Sequence, residues 1–429
     1  MRTNILISTI YKKQVSGFPM VTIHPFAAVR PRSDIAQSVA AVPYDVVDAE
    51  EARVCIEANP LSFLRVSRAD AEIPSISPHD PRVYEQAKAN FHSLLERHLL
   101  QKDDVPSLYI YRVHSGERTF TGLVACMTAE EYRSGLIRKH ELTTYEKEED
   151  RTRHIDAVNA QTGLVFLVYR DKEDLHQSVE ALVYSTPPEC EVINRNGTRH
   201  QVYRIRDPST IHRLQSQFSG VDALYIADGH HRAAAAVNVA LAREQEGRST
   251  PESSQFMAVL FAHHQVMIHG YSRLVRDLND LSIPAFLQRL KEQYPVEPCN
   301  TTTDLYTGKR SRSIFMYLPG QWYEIRLPNQ GMVHPDTLDV AVLQKHILGS
   351  LLGIGDPRKD IRLQYMGGVH SREELERLVD RGSYAVAFVM MPVTIETVME
   401  IADENGIMPP KSTWFEPKLL SGLVIHTLD

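Results

Sequence analysis

Apolar residues recur every three or four positions along DPRVYEQAKANFHSLLERHLL, where Val83, Ala87, Phe91, Leu94, Leu95 and Leu99 form one stripe. That spacing predicts an amphipathic helix. Alternation replaces it in SLYIYRVHSGERTFTGLVACM, which breaks at His114-Ser115-Gly116-Glu117 and predicts a β-hairpin. Ala223-Leu224-Tyr225-Ile226 reads as a short buried strand, and Ala233 to Glu246 is rich in the best helix formers. The run SSQFMAVLFAHHQVMIHGYSRLVRDL holds two apolar stretches parted by His263-His264-Gln265 and predicts a second hairpin. Pro284 opens an amphipathic helix, and SRSIFMYLPGQWYEIRL predicts a third hairpin. The last hundred residues read as helix, strand, helix, strand, helix, then a proline-stiffened loop and a strand. Helix and strand signals are mixed throughout, so the expected class is α/β (mixed α+β).

At 429 residues the chain exceeds one ordinary core, so several lobes are expected. We place an extension or disordered segment at 1–19, an N-terminal α/β lobe at 20–134, a core at 135–280 and a C-terminal α/β lobe at 281–429. A net charge of -7 weighs against a general nucleic-acid surface. Cys55, Cys126, Cys190 and Cys299 stand far apart, without the spacing of a disulfide framework or a zinc knuckle. No apolar run approaches the roughly 20 residues that span a bilayer. A cytoplasmic protein is expected.

Three polar constellations then carry the candidate chemistry. Asp228-Gly229-His230-His231-Arg232 lies at a strand-to-helix turn, where the first helical amides lack intrahelical partners and favour phosphates. Gly229 lets the backbone approach a ligand closely, and Arg232 offers a planar fork. A plainer reading makes Asp228 an N-cap, which accounts for one residue of the five. The second constellation is His140-Glu141-x-Thr143, followed along a charged helix by Asp150, Arg151 and His154; Thr143 and Thr144 offer caps for that helix. The third is Lys411-Ser412-Thr413, where an ammonium beside two hydroxyls suits phosphate and Trp414-Phe415 can anchor the loop. Asp45 and Arg273 join His140, Thr143, Arg151 and His154 as substrate-binding candidates. His263 and His264 read as solvated loop histidines. A P-loop, an HExxH helix and a GxSxG elbow are absent from the sequence.

From about Val21 to Leu428 the chain resembles a widespread prokaryotic family of unknown function, through HPFAAVRP, VPYDVVDAEEA, NPLSFLRV, HELTTYEKEEDRTRH, GLVFLVY, ADGHHRAAAA and MPPKSTWFEPKLLSGL. More distantly, Asp228 to Arg232 with His140-Glu141 upstream is similar to the ParB/sulfiredoxin superfamily, and most of all to its free serine kinase branch. That resemblance implies a ParB/sulfiredoxin-like nucleotide-binding core within 135–280, carrying additional α/β lobes. It also implies a nucleotide cradle at Asp228, Gly229, His230, His231 and Arg232, and a base at Glu141. Glu141 and Asp228 are farther apart here than in the simple kinase, as inserted strands would make them.

The expected activity is phosphoryl transfer to a small hydroxy amino acid, serine or phosphoserine first, with ATP or ADP and Mg²⁺. Glu141 would be the base, Arg232 and Lys411 the charge clamps, and Asp228 a Mg²⁺ ligand. His231 could instead donate to a leaving oxygen or carry the phosphoryl group, which would suit a phosphoserine phosphatase. A nucleotide-binding or ParB-like regulator without turnover is the reading from a different class.

Overall fold

The computed structural model describes residues 20–172, 175–194, 196–299, 312–328, 334–357, 359–368 and 372–429, so the segment 1–19 lies outside the described residues. The fold is mixed α/β, as the patterns predict, and two sheets organise it.

The first sheet has eight strands, in spatial order Ile137–Arg138, Leu224–Asp228, Val165–Tyr169, Gln255–Ala262, Arg118–Thr128, Leu108–Ser115, Arg199–Ile205 and Cys190–Ile193. Its centre is the predicted hairpin, with Ser115 opposite Arg118 across a turn in which Gly116 has a φ of 59°. Leu108 and Ile110 enter one apolar cluster, whereas Tyr109, Tyr111 and Val113 enter another. Both faces are therefore buried, which is why LYIYRV is apolar at nearly every position. The sheet draws strands from both sides of the 134/135 boundary.

The second sheet has six antiparallel strands, in the order Val296–Cys299, Gln321–Arg326, Ser313–Leu318, Val386–Met390, Tyr271–Val275 and Leu363–Gly367. Tyr271–Val275 precedes residue 280 in sequence and pairs with Leu363–Gly367 and Val386–Met390, which follow it. The hairpin expected around His263-His264-Gln265 does not form. Gln255–Ala262 pairs within the first sheet, Met267–His269 pairs with Trp414–Glu416, and Tyr271–Val275 lies in the second sheet. The chain passes here from the first sheet, through a two-stranded pairing, into the second.

The helix Pro81–Glu96 starts at an Asp80 cap with proline in its first turn. It buries Val83, Ala87, Phe91 and Leu94, while Leu95 and Leu99 pack half-buried at the margin of the same cluster. The charged helix Tyr145–Val158 shows Glu146 and Lys147 to solvent but turns His154 and Ile155 inward. Its N-cap is Thr144, with no side-chain cap bond; Thr143 instead donates its hydroxyl to Glu148.

Candidate functional site

The strand Leu224–Asp228 ends where the helix His230–Gln245 begins, and Gly229 joins them. Gly229 is the N-cap, with a φ of 92° that an L side chain adopts only under strain. Asp228 is thus the last strand residue rather than a cap. The first amides of this helix have no intrahelical acceptor, and the helix dipole adds positive charge there.

Arg232 folds back across Gly229, where an added Cβ would meet Arg232 Nε at 2.9 Å. Its guanidinium donates to the Leu164 carbonyl and lies 3.6 Å from Asp228 Oδ2. A second cation, Lys418, donates to the same Asp228 oxygen at 3.1 Å. Burial alone pushes the Asp228 carboxyl up, but Lys418 and Arg232 outweigh it and hold Asp228 well below the usual carboxylate range.

His230 is buried against His140, with ring centroids 4.7 Å apart and the planes near perpendicular. His140 is 1% exposed and sits in a hydrogen bond of 3.3 Å with Thr413 Oγ1, so it supports the site from beneath. His231 Nε2 accepts the Thr144 amide at 3.2 Å, which places the proton of the neutral ring on Nδ1. Burial pushes both His140 and His231 down to about 4.

Glu141 follows His140 and faces the same cleft. Burial raises its carboxyl above the ordinary value; Lys411 pulls the other way, and Asp228 adds to the rise. The loop that brings Lys411 is tied to this strand end, because the Met408 amide donates to the His140 carbonyl at 2.8 Å. Within it Lys411 has a φ of 58°, and Ser412 is buried with its hydroxyl donating to the Pro409 carbonyl. Thr413 and Trp414 line the cleft.

Arg273 is 2% exposed and stands behind this wall, donating to the carbonyls of Tyr271 and Lys411 at 2.6 and 3.0 Å. It is not among the residues lining the cleft, because its guanidinium is held by those two carbonyls. Ser412 and Thr143 also point elsewhere, each holding a local bond instead.

The opposite end of the cleft comes from the N-terminal segment. Arg151 lies 4.4 Å over the Tyr44 ring and 2.7 Å from Asp150, whose carboxylate also takes Tyr84 Oη at 2.9 Å and His79 Nδ1 at 3.1 Å. Arg68 pairs with Asp70 at 2.8 Å and donates to the Tyr44 and Val47 carbonyls. His154 donates Nε2 to the Val66 carbonyl at 2.9 Å, and burial holds it near 4, so it is a neutral part of the floor. Asp45 is exposed at the rim.

Together these residues enclose a cleft of about 820 Å³, within the roughly 300–1,000 Å³ of small-molecule sites. It unites Asp45, Glu141, Arg151, His154, Asp228, Gly229, His230, His231, Arg232, Lys411 and Thr413, all singled out from the sequence. It adds Lys418, Tyr44, Arg68, Tyr271, Tyr365 and Trp414. Lys418 lies within the signature MPPKSTWFEPKLLSGL, but nothing in the sequence pairs it with Asp228, 190 positions away. Among the described residues no group of three or more His, Cys, Asp or Glu converges as a metal site. Asp228 is thus a single candidate ligand, and Mg²⁺ there would depend on phosphate oxygens and water.

A search of curated proteins by sequence found no match. Similar solved structures include a conserved hypothetical protein from Pyrococcus furiosus, 14% identical over 68% of this chain and 90% of that one, with a TM-score of 0.35. Free serine kinase in complex with AMP is 14% identical over 69% of this chain and 88% of that one, with a TM-score of 0.36. SbnI with a C-terminal truncation, from Staphylococcus aureus, is 10% identical over 68% and 82%, with a TM-score of 0.34. Residues 23–345 match the family described as "Protein of unknown function (DUF1015)".

Proposed function

The chain belongs to the DUF1015 family, whose description assigns no reaction, and from the site itself we propose a phosphotransferase acting on a small hydroxy amino acid, with serine as the first substrate to test. One observation carries this reading. A carboxylate made less acidic by burial, Glu141, shares a cleft with the open amides of a helix N-terminus and with Lys411, Lys418 and Arg232. Phosphoryl transfer needs little else from a protein than positioning, charge neutralisation and an acceptor for the hydroxyl proton.

In the proposed step the serine hydroxyl oxygen attacks the terminal phosphorus of ATP or ADP. The new O–P bond forms as the bond from that phosphorus to the nucleotide's bridging oxygen breaks. The bridging oxygen keeps the electron pair and leaves with the nucleotide, and the hydroxyl proton passes to a Glu141 Oε. The helix amides, Lys411 and Arg232 hold the phosphate oxygens. Asp228 is the residue to hold Mg²⁺, which when bound would neutralise phosphate charge. His231 spends its one ring lone pair on the Thr144 amide, which supports direct transfer over a phosphohistidine.

Purified protein with serine, nucleotide and Mg²⁺ is expected to yield phosphoserine by phosphorus NMR. No product with any nucleotide or hydroxy amino acid overturns the reading. Inorganic phosphate released from phosphoserine without nucleotide points instead to a phosphatase, and tight nucleotide binding without turnover points to a regulator.

A further inference from the structure

Three aromatic rings form one wall of the cleft, and each carries a cation over its face. Lys418 Nζ lies 4.2 Å from the Trp414 ring centroid, Lys411 Nζ 5.2 Å from Tyr271, and Arg273 Cζ 5.3 Å from Tyr365. Such contacts fix the direction of side chains that would otherwise sample many rotamers. Trp414 is itself closely packed: it lies over Gly367, where an added Cβ would meet the indole at 2.1 Å, and it takes Tyr271 edge-on at 5.6 Å.

Lys418 differs from the other two cations in what it faces. It reaches the strand-to-helix turn, where its ammonium bonds Asp228 at 3.1 Å. An ammonium has three donors, and among the described residues Asp228 is its one hydrogen-bond acceptor. Arg232 is already committed to the Leu164 carbonyl and to the same Asp228 oxygen. One carboxylate thus bonds or pairs with two cations at a helix N-terminus, while Glu416 acts on Lys418 and Asp45 on Arg232 without a hydrogen bond to either cation among the described residues.

We propose that Lys418 is a phosphate clamp of this cleft: held in direction by the Trp414 face, its ammonium shares or exchanges the Asp228 carboxylate for oxygens of a bound polyphosphate. This rests on reading the cleft as a phosphoryl-transfer site, and it gives a role to a residue that the signature MPPKSTWFEPKLLSGL contains without assigning it one. Lys418 acts through its charge and takes no part in proton transfer. Trp414 is the positioning residue, acting through Lys418.

The test is calorimetric titration of the full-length protein and its variants with ATP, and separately with inorganic triphosphate, after matched circular dichroism shows the variants folded. Lys418→Met is expected to weaken both ligands at least about tenfold, as loss of a charge-assisted bond does, and Lys418→Arg to recover part of that loss. Trp414→Leu should weaken both by a smaller factor. If Lys418 serves only to neutralise Asp228, the double variant Asp228→Asn with Lys418→Met regains wild-type affinity, and the proposal is overturned. A double variant that stays weak toward inorganic triphosphate without Mg²⁺, where Asp228 has no metal to hold, supports it. Unchanged triphosphate binding in Lys418→Met also overturns it. A wild-type protein that binds triphosphate through Lys418 yet turns over no nucleotide upholds the clamp and removes the kinase reading.

Discussion

Glu141 and Asp228 are two carboxylates in one cleft whose surroundings push them in opposite directions. Burial raises Glu141, with Lys411 partly offsetting it, while Lys418 and Arg232 hold Asp228 low against its burial. Groups separated in this way divide acid-base work between them. Asp228 stays ionised as a fixed charge, and Glu141 is suited to take a proton. Glu141→Gln keeps the shape and hydrogen-bonding capacity but loses the base. It is expected to lower turnover by about 10²-fold or more while nucleotide affinity stays within twofold, measured by phosphoserine formation and by titration. The sign of the pH dependence follows. A base must be deprotonated, so kcat should fall as pH falls through an apparent pKa above the ordinary glutamate value, and the Gln variant should lose that limb.

At the scale of elements, the strand-to-helix turn depends on Gly229. Its φ of 92° disfavours any side chain, and a Cβ there would also press on Arg232 Nε at 2.9 Å. Gly116 has a φ of 59° but nothing within 4 Å of its added Cβ, so it carries the backbone term alone. Gly116→Ala is expected to cost about 1 kcal/mol and Gly229→Ala about 1–3 kcal/mol, with nucleotide binding lost only in the second. Thermal melts and titrations of the two variants check this. Equal losses of stability, with binding intact in both, would show that Arg232 is not positioned by the turn.

At the scale of the whole molecule, Asp403 at the end of the helix Ile395–Asp403 latches that helix to the edge of the eight-stranded sheet. Its carboxylate takes Arg138, Arg170 at 2.9 Å and the Tyr225 hydroxyl at 2.6 Å. The group is about a third exposed, so solvent screens it; Asp403→Ala is expected to cost about 1 kcal/mol, read as a modest drop in melting midpoint with turnover unchanged. Acid should act more strongly. His140, His154, His200 and His231 are each pushed by burial from 6.5 down to about 4. The unfolded chain binds those protons first, so this contribution is complete above about pH 6.5 and drains away as pH falls toward 4. His200→Asn should flatten the melting midpoint over that window, since His200 lies outside the cleft.

The pattern of apolar positions determined which segments become strands and helices where the local period is strong, as in Pro81–Glu96 and the central hairpin. It also marked the strand-to-helix turn, because a glycine and a polar cluster between an apolar run and an alanine-rich helix leave few alternatives. Sheet partners were beyond it: the stretches around His263 read as neighbours, yet they pair in different sheets. Strand period sets which face is buried, but the choice of partner is decided by burial summed over the whole core. Hydrogen bonds to backbone carbonyls hold Arg273 and Ser412 away from the cleft. Only the tertiary structure brought Lys418 to Asp228 and Trp414 beneath Lys418, because a contact between residues far apart in the chain leaves no local spacing to read.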